Sequence, residues 1–127
     1  MKNKYRSDLS LAKNLGSAGS GSKHWWSQRV TAIILMICNG WFIYFTWNLS
    51  GASLSNKIDL LQKPYNIVML LLFTFTGLYH AVLGTQVVIE DYIKCRALKL
   101  LLLLFIRIFF IITAISFLVA VFYVMNL

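Results

Sequence analysis

The sequence contains very little charge for its length. Charged residues make up 13% of the 127 residues and only 4 residues are acidic, whereas 59% are hydrophobic. A soluble domain of this size could not keep so much apolar surface away from water. The scarcity of charge therefore excludes an ordinary soluble fold and favours a membrane protein.

Cysteine, proline and catalytic signatures are also scarce. Two cysteines, Cys38 and Cys95, are too few for a thiolate metal cluster or a disulfide framework, so we expect plain thiols. No glycine-rich dinucleotide loop and no iron–sulfur cysteine cluster occurs in the sequence. The single proline, Pro64, suits the first turn of a helix.

Three long stretches contain no Asp, Glu, Lys or Arg. They cover residues 30–56, 64–89 and 108–127. Each can span a bilayer, because a spanning helix needs about 20 mostly apolar residues. In none of the three stretches do apolar and polar residues alternate, as they do in the strands of a membrane-spanning β-barrel. We therefore predict an all-α integral membrane protein with three transmembrane helices, at roughly residues 27–47, 64–89 and 97–123.

The basic residues flank the apolar runs. Those before the first run are Lys2, Lys4, Arg6, Lys13, Lys23 and Arg29, and those between the second and third are Lys94, Arg96 and Lys99. The positive-inside rule then predicts that the N-terminus lies inside and the C-terminus outside. The net charge of +8 thus reflects orientation in a lipid bilayer, and we expect no nucleic-acid partner.

Residues 1–23 are rich in Ser, Gly, Lys and Asn. That composition cannot bury a core, so we predict a flexible tail on the inner side, followed by the three-helix anchor at residues 24–127. The alternative is a tail that becomes ordered against a soluble partner. We expect no signal peptide, because the segment lacks an apolar core.

A histidine, His80, lies deep inside the second apolar run. Ionisable residues are costly inside a bilayer, so His80 is a candidate functional residue. On a helix it shares one stripe with Phe73, Thr76, Gly77, Gly84, Val87 and Asp91. Two explanations stay open. The glycines leave room for a flat macrocycle with His80 as axial haem ligand, or they allow close helix packing with His80 in an interhelical hydrogen bond.

A short acidic corner ends the second run. Asp91 lies three helical turns after His80, about 16 Å along the axis and about half of the ~30 Å hydrocarbon core. This spacing predicts that His80 lies near mid-membrane and that Asp91 and Tyr92 lie near the inner interface. The corner is either a solvated turn balanced by Lys94 and Arg96, or a proton source and phenol donor for a quinone head group.

Two arginines lie close to the ends of apolar runs. Arg29 follows Trp25 and Trp26, which are typical of a membrane interface, and its head could snorkel or meet a buried anion. Arg107, in the third predicted span, could snorkel, pair with an acidic residue of the corner, or contact a lipid head group or haem propionate.

These features, in this order, resemble the hydrophobic membrane anchor (D-type) subunits of succinate dehydrogenase, respiratory complex II. The matching residues are Arg29-Val30-Thr31-Ala32-Ile33, then His80, Ala81, Gly84, Gln86-Val87 and Asp91-Tyr92. The resemblance covers about 100 residues from His24 onward. Its most specific part is the twelve-residue step from His80 to Tyr92.

The resemblance implies a role for each matching residue. His80 looks like the axial ligand of haem b, shared with a histidine of a partner cytochrome b subunit. Tyr92 resembles the quinone hydrogen-bond donor, and Asp91 resembles its acidic neighbour in proton delivery. Arg29 is similar to the basic residue near the haem propionates, and His24 and Ser27 are assigned with it to the vicinity of the haem propionates or of the quinone. Arg107 has no counterpart in the family pattern.

The resemblance also implies a place in a respiratory chain. The chain would be a non-catalytic anchor for flavoprotein and iron–sulfur subunits, and would form haem b and ubiquinone sites with the cytochrome b subunit. The complex would pass electrons from succinate oxidation, a tricarboxylic acid cycle reaction, to ubiquinone. We expect a multi-pass protein of the bacterial inner membrane, or of the mitochondrial inner membrane if the gene is organellar.

Two alternatives remain at this point. One is the anchor of a fumarate reductase. The other is a small transporter or structural membrane protein in which His80 and Asp91 form a proton relay.

Overall fold

The structure, a computed structural model, describes residues 18–126, with side chains from Ser22 onward. This part of the chain forms four helices: α1 (Ala18–Ser50), α2 (Leu54–Gln62), α3 (Pro64–Tyr92) and α4 (Arg96–Met125). Three of them, α1, α3 and α4, are long and apolar enough to cross a membrane. The predicted all-α architecture with three spans is confirmed.

The long helices extend past the predicted spans at their ends. The helix α3 has 29 residues, which corresponds to about 44 Å at 1.5 Å per residue and exceeds a ~30 Å hydrocarbon core. An α-helix satisfies its own backbone hydrogen bonds, so nothing forces it to stop where the hydrocarbon ends. The loop predicted between the second and third spans accordingly shrinks to Ile93, Lys94 and Cys95.

The N-terminal boundary also differs from the prediction. Helix α1 begins at Ala18, so residues 18–23 are helical, whereas the composition predicted a flexible tail there. Extending an existing helix fixes one residue per hydrogen bond, and this is far cheaper than nucleating one, even through Gly and Ser. The remainder of the predicted tail lies outside the described residues.

The connection between the first and second spans contains the short helix α2, where the sequence predicted only a loop. Lys63 separates α2 from α3 with an extended backbone, φ −61° and ψ 126°. The residue before a proline avoids the helical region, so Pro64 ends α2 and at the same time begins α3. The buried Asn66 side chain donates a hydrogen bond to the Leu60 carbonyl at 2.7 Å, and this bond ties the two helices together.

Helix α3 lies between α1 and α4 and contacts both. Against α1 it packs in an antiparallel register that a few pairs define. The Phe73 ring stacks on Phe42 at 4.5 Å, Gly77 lies beside Leu35, the His80 ring contacts Thr31, and Gly84 lies beside Gln28. Four residues of the predicted stripe, Phe73, Gly77, His80 and Gly84, therefore lie on the face that packs against α1.

The C-terminal end of α3 is held by polar contacts of Glu90. The Lys99 ammonium donates a hydrogen bond to the Glu90 carbonyl oxygen at 2.8 Å, close to the C-terminus of α3. A cation there satisfies a carbonyl that the helix leaves free and complements the helix dipole. The Gln86 amide donates to the Glu90 carboxylate at 2.7 Å. These bonds fix the corner that carries Asp91 and Tyr92.

Candidate functional site

The His80 side chain is the centre of the site. It lies two residues past the middle of α3 and is half-buried. Its Nδ1 atom lies 2.9 Å from the hydroxyl oxygen of Thr31 on α1. The interhelical hydrogen bond that the sequence left open is thus formed, and it occupies one of the two ring nitrogens.

The direction of this hydrogen bond follows from the other partners of Thr31. Its hydroxyl donates to the carbonyl oxygens of Ser27 at 2.9 Å and Gln28 at 3.1 Å. A hydroxyl has one proton, so the oxygen then accepts from the ring. With the hydroxyl proton on either carbonyl, Nδ1 of His80 carries the ring proton and Nε2 keeps a lone pair, as a metal ligand requires.

A groove opens beside His80 between α1 and α3. Its volume is about 250 Å³, and its lining residues are Trp25, Gln28, Arg29, Ala32 and His80. Complete small-molecule sites usually enclose roughly 300–1,000 Å³. The groove is thus smaller than a complete site for a small molecule.

Arg29 places a positive charge on the rim of this groove. Its guanidinium carbon lies 5.5 Å from the centre of the Trp25 ring, within the range of a cation–π contact. The side chain is exposed. A guanidinium carries five donors and can hold a carboxylate by two parallel hydrogen bonds. The guanidinium of Arg29 is therefore placed where it could bind an anion beside His80, as predicted from the sequence.

His24 and Ser27 are the two other residues predicted near Arg29, and the structure gives each of them a different environment. The Nε2 atom of His24 is buried and has no hydrogen-bond partner among the described residues. Buried nitrogens normally have a partner, so this atom could take one from a bound group. Ser27 takes part through its main-chain carbonyl, which accepts the Thr31 hydroxyl.

Asp91 and Tyr92 form a second, separate location at the C-terminal end of α3. Both side chains are exposed, and Tyr92 is 80% exposed. They lie about 16 Å from His80 along the helix axis and do not line the groove. The structure therefore does not bring the acid and the phenol to the histidine. Arg107 on α4 is exposed.

The two glycines that flank His80 face α1. A methyl group added at Gly77 would lie 3.8 Å from the Leu35 side chain, and one at Gly84 would lie 3.9 Å from the Gln28 amide. These are ordinary contact distances. Both glycines therefore lie on the face of α3 that packs against α1, at positions where a methyl group would also fit.

The donor set near His80 fits a haem better than a free metal ion. Within residues 22–126 no three His, Cys, Asp or Glu side chains converge as metal ligands. A porphyrin supplies its own four in-plane nitrogens and needs the protein only for axial ligands. One histidine with a free Nε2, a groove and a nearby guanidinium match that requirement.

Thr31 and Gln28 are the residues of this site to which the sequence analysis gave no role. Thr31 lies 49 residues from its partner, so no local pattern connects the two. A weak signal did exist. A hydroxyl residue two positions after Arg29, where α1 becomes apolar, is a candidate for a hydrogen bond to another helix.

Comparison with known proteins identifies the family. Residues 3–124 match the model of the succinate dehydrogenase/fumarate reductase transmembrane subunit. The chain belongs to this family.

Curated relatives of this transmembrane subunit family agree with the match. A Rickettsia bellii protein is 48% identical over 119 residues, which cover 94% of this chain and 95% of the relative. A Rickettsia prowazekii protein is 43% identical over the same length and coverage. A Paracoccus denitrificans protein is 28% identical over 91 residues, 72% of this chain and 70% of the relative. All three are named succinate dehydrogenase hydrophobic membrane anchor subunit. The family resemblance seen in the sequence is confirmed.

The packing of this transmembrane subunit predicts different outcomes at two glycines. Gly84→Leu should lower the free energy of unfolding by about 1–3 kcal/mol, because the larger side chain meets Gln28 on α1. Gly84→Ala should change it by less than about 1 kcal/mol, since a methyl group fits and alanine favours helix. Thermal unfolding of the purified protein in detergent measures both.

Gly40→Leu is the matched control, because an added Cβ at Gly40 meets nothing within 4 Å. Equal losses for leucine at positions 40 and 84 would show that Gly84 has no special packing role.

Proposed function

We propose that this chain is the hydrophobic membrane anchor subunit of a bacterial succinate dehydrogenase, located in the inner membrane. In this role it contributes one axial ligand to haem b and part of a ubiquinone site, and it has no succinate chemistry of its own. The family match and the names of the curated relatives support the anchor role. The family name also implies association with other subunits of the complex.

The observation that carries the haem assignment is the state of the His80 ring. Nδ1 is held by Thr31 at 2.9 Å, which leaves Nε2 for iron at a groove rimmed by Arg29. When bound, haem b supplies a one-electron carrier within the membrane. His80 would bind its iron through Nε2, and the guanidinium of Arg29 would balance a propionate charge.

The groove supplies only one side of such a site, so a partner must complete it. We assign the second axial histidine and the opposite wall to the cytochrome b subunit. The iron–sulfur and flavoprotein subunits, which supply electrons from succinate, would dock on the inner side. Exposed apolar surface on the long helices, such as Ile33 and Met36 on α1, is available to the cytochrome b subunit and to lipid.

The quinone assignment concerns the inner end of α3. The exposed Tyr92 hydroxyl can donate a hydrogen bond to a quinone carbonyl, and the Asp91 carboxyl group can relay a proton to the reduced ring. Lys99 and Gln86 hold the neighbouring Glu90, so this end of the helix has a defined position. The location at the helix end is consistent with a substrate whose head group lies at the membrane edge.

Two alternatives are less well supported. The family name includes fumarate reductase, but the Rickettsia and Paracoccus relatives are named for succinate dehydrogenase. A transporter with a His80–Asp91 relay would need the acid deep in the bundle. Asp91 is instead exposed at the end of α3.

The haem assignment predicts a different result for each of the two histidines of the chain. In the purified complex, His80→Leu should abolish or strongly reduce the b-type haem signal in the reduced-minus-oxidised spectrum. His24→Gln should retain axial ligation and the spectrum, because His24 is not proposed as an iron ligand. An intact haem signal in His80→Leu would contradict the ligand role.

The quinone assignment predicts a selective loss of activity. Tyr92→Phe should lower quinone reduction by about tenfold or more, since the hydrogen-bond donor to the carbonyl is removed. Succinate oxidation with an artificial dye should remain normal. The matched control is Tyr79→Phe, a half-exposed tyrosine elsewhere on α3. Equal quinone activity in both variants would refute the role of Tyr92.

The proposed orientation predicts which side of the membrane carries the reactive thiol. Cys95 is exposed in the link between α3 and α4, whereas Cys38 is 2% exposed. A membrane-impermeant maleimide should react with Cys95 only in inside-out vesicles. A Cys95→Ser chain with Ser53→Cys in the outer connection should react only in right-side-out vesicles. The reverse pattern would overturn the orientation.

A further inference from the structure

We infer that Thr31 is a positioning residue for the haem ligand. Its hydroxyl holds the His80 ring in the tautomer that presents Nε2, and it raises the basicity of that nitrogen. Thr31 thereby lowers the midpoint potential of the bound haem. This inference rests on the proposed function, in which His80 is an axial ligand, and adds a residue that acts through it.

The first support is the geometry of the contact. Thr31 is 7% exposed, so water does not compete for its oxygen. Its oxygen lies 2.9 Å from Nδ1 of His80, and the carbonyls of Ser27 at 2.9 Å and Gln28 at 3.1 Å are both in position to accept its single proton. The oxygen is therefore an acceptor with a fixed direction, and turning the ring over would cost this bond.

The second support is a comparison with other threonines of the bundle. Thr46 on α1 donates to the carbonyls of Phe42 and Ile43, the same local bond that Thr31 makes with the preceding turn of its helix. Thr85 on α3 donates likewise to Ala81 and Val82. Among the threonines that the structure describes, Thr31 alone hydrogen-bonds to a side chain of another helix. The local bond is thus common to these residues, and the contact with His80 distinguishes Thr31.

The chemical consequence follows from ligand basicity. A histidine whose Nδ1–H donates to an oxygen has more electron density at Nε2 and binds oxidised iron more strongly. Hydrogen bonding of this kind is one of the means by which a protein sets a haem potential. Removal of the acceptor should therefore favour reduced over oxidised haem.

The test compares haem midpoint potentials in the assembled complex by spectroscopic redox titration. Thr31→Val has the same shape without the acceptor, and Thr31→Ala removes it without any crowding of the ring. Both should raise the midpoint potential, so that the ratio of reduced to oxidised haem at a fixed ambient potential increases a few-fold. Thr31→Ser keeps the hydroxyl and should restore the wild-type potential.

Thr46→Val is the matched control, because it loses the same intrahelical hydrogen bond but has no contact with His80. It should titrate as wild type. A merely structural role for Thr31 would change the yield of complex without a directed shift in potential.

Each outcome decides the inference. Wild-type potentials in Thr31→Val and Thr31→Ala would overturn it. If both variants assemble without haem, retention of haem in Thr31→Ser supports the inference, and its loss there overturns it. Failure of the proposed function is seen separately, because His80→Leu would then retain the haem signal. If His80→Leu loses haem while the threonine variants titrate normally, only the inference on Thr31 fails.

Discussion

The antiparallel contact between α1 and α3 is the interaction on which the rest of the structure depends. Lipid is as apolar as leucine, so burial of apolar surface alone does not hold two helices together in a membrane, and close packing and polar bonds must contribute. Here the face of α3 that carries Gly77 and Gly84 packs against α1, and the Thr31–His80 hydrogen bond lies between these two positions. The same bond that ties the helices also satisfies Nδ1, which would otherwise be a costly unpaired donor. The Thr31–His80 hydrogen bond therefore contributes to the stability of the helix pair and also leaves Nε2 available for a ligand.

Helix α3 connects the two proposed sites because it packs on both neighbours and carries residues of each site. His80 near its middle faces α1, while Asp91 and Tyr92 at its C-terminal end are exposed. A rigid helix fixes the separation of the two sites at about 16 Å along the axis. The groove beside His80 is too small to enclose a haem by itself, and this agrees with a site shared between subunits. The family match and the geometry thus support one account in which this chain contributes half of each binding site.

Much of this arrangement could be predicted from the sequence, and the remainder depends on contacts between helices. The uncharged runs predicted all three spans, and helical periodicity placed Phe73, His80 and Gly84 on one stripe. Periodicity shows which residues share a face, but it does not show which neighbouring helix that face meets. Thr31 lies 49 residues from His80, so periodicity could not predict its contact with the histidine. For the same reason, the sequence allowed two explanations for the glycines that flank His80. The helix α2 was missed because nine residues are fewer than the roughly 11–18 over which helical periodicity is read, although Leu54, Ile58 and Leu61 recur at helical spacing. Helix ends were misplaced because hydropathy reports the hydrocarbon core, whereas the helices continue through the interface.

The central claim is that Thr31 holds the ring of His80 so that Nε2 faces the ligand. The most direct measurement is a high-resolution structure of the assembled complex, determined with its subunits and bound groups in place. Our account predicts that Nε2 of His80 coordinates the haem iron while Nδ1 stays within hydrogen-bond distance of the Thr31 hydroxyl oxygen. Coordination through Nδ1, or a His80 ring turned away from both Thr31 and the haem, would contradict it.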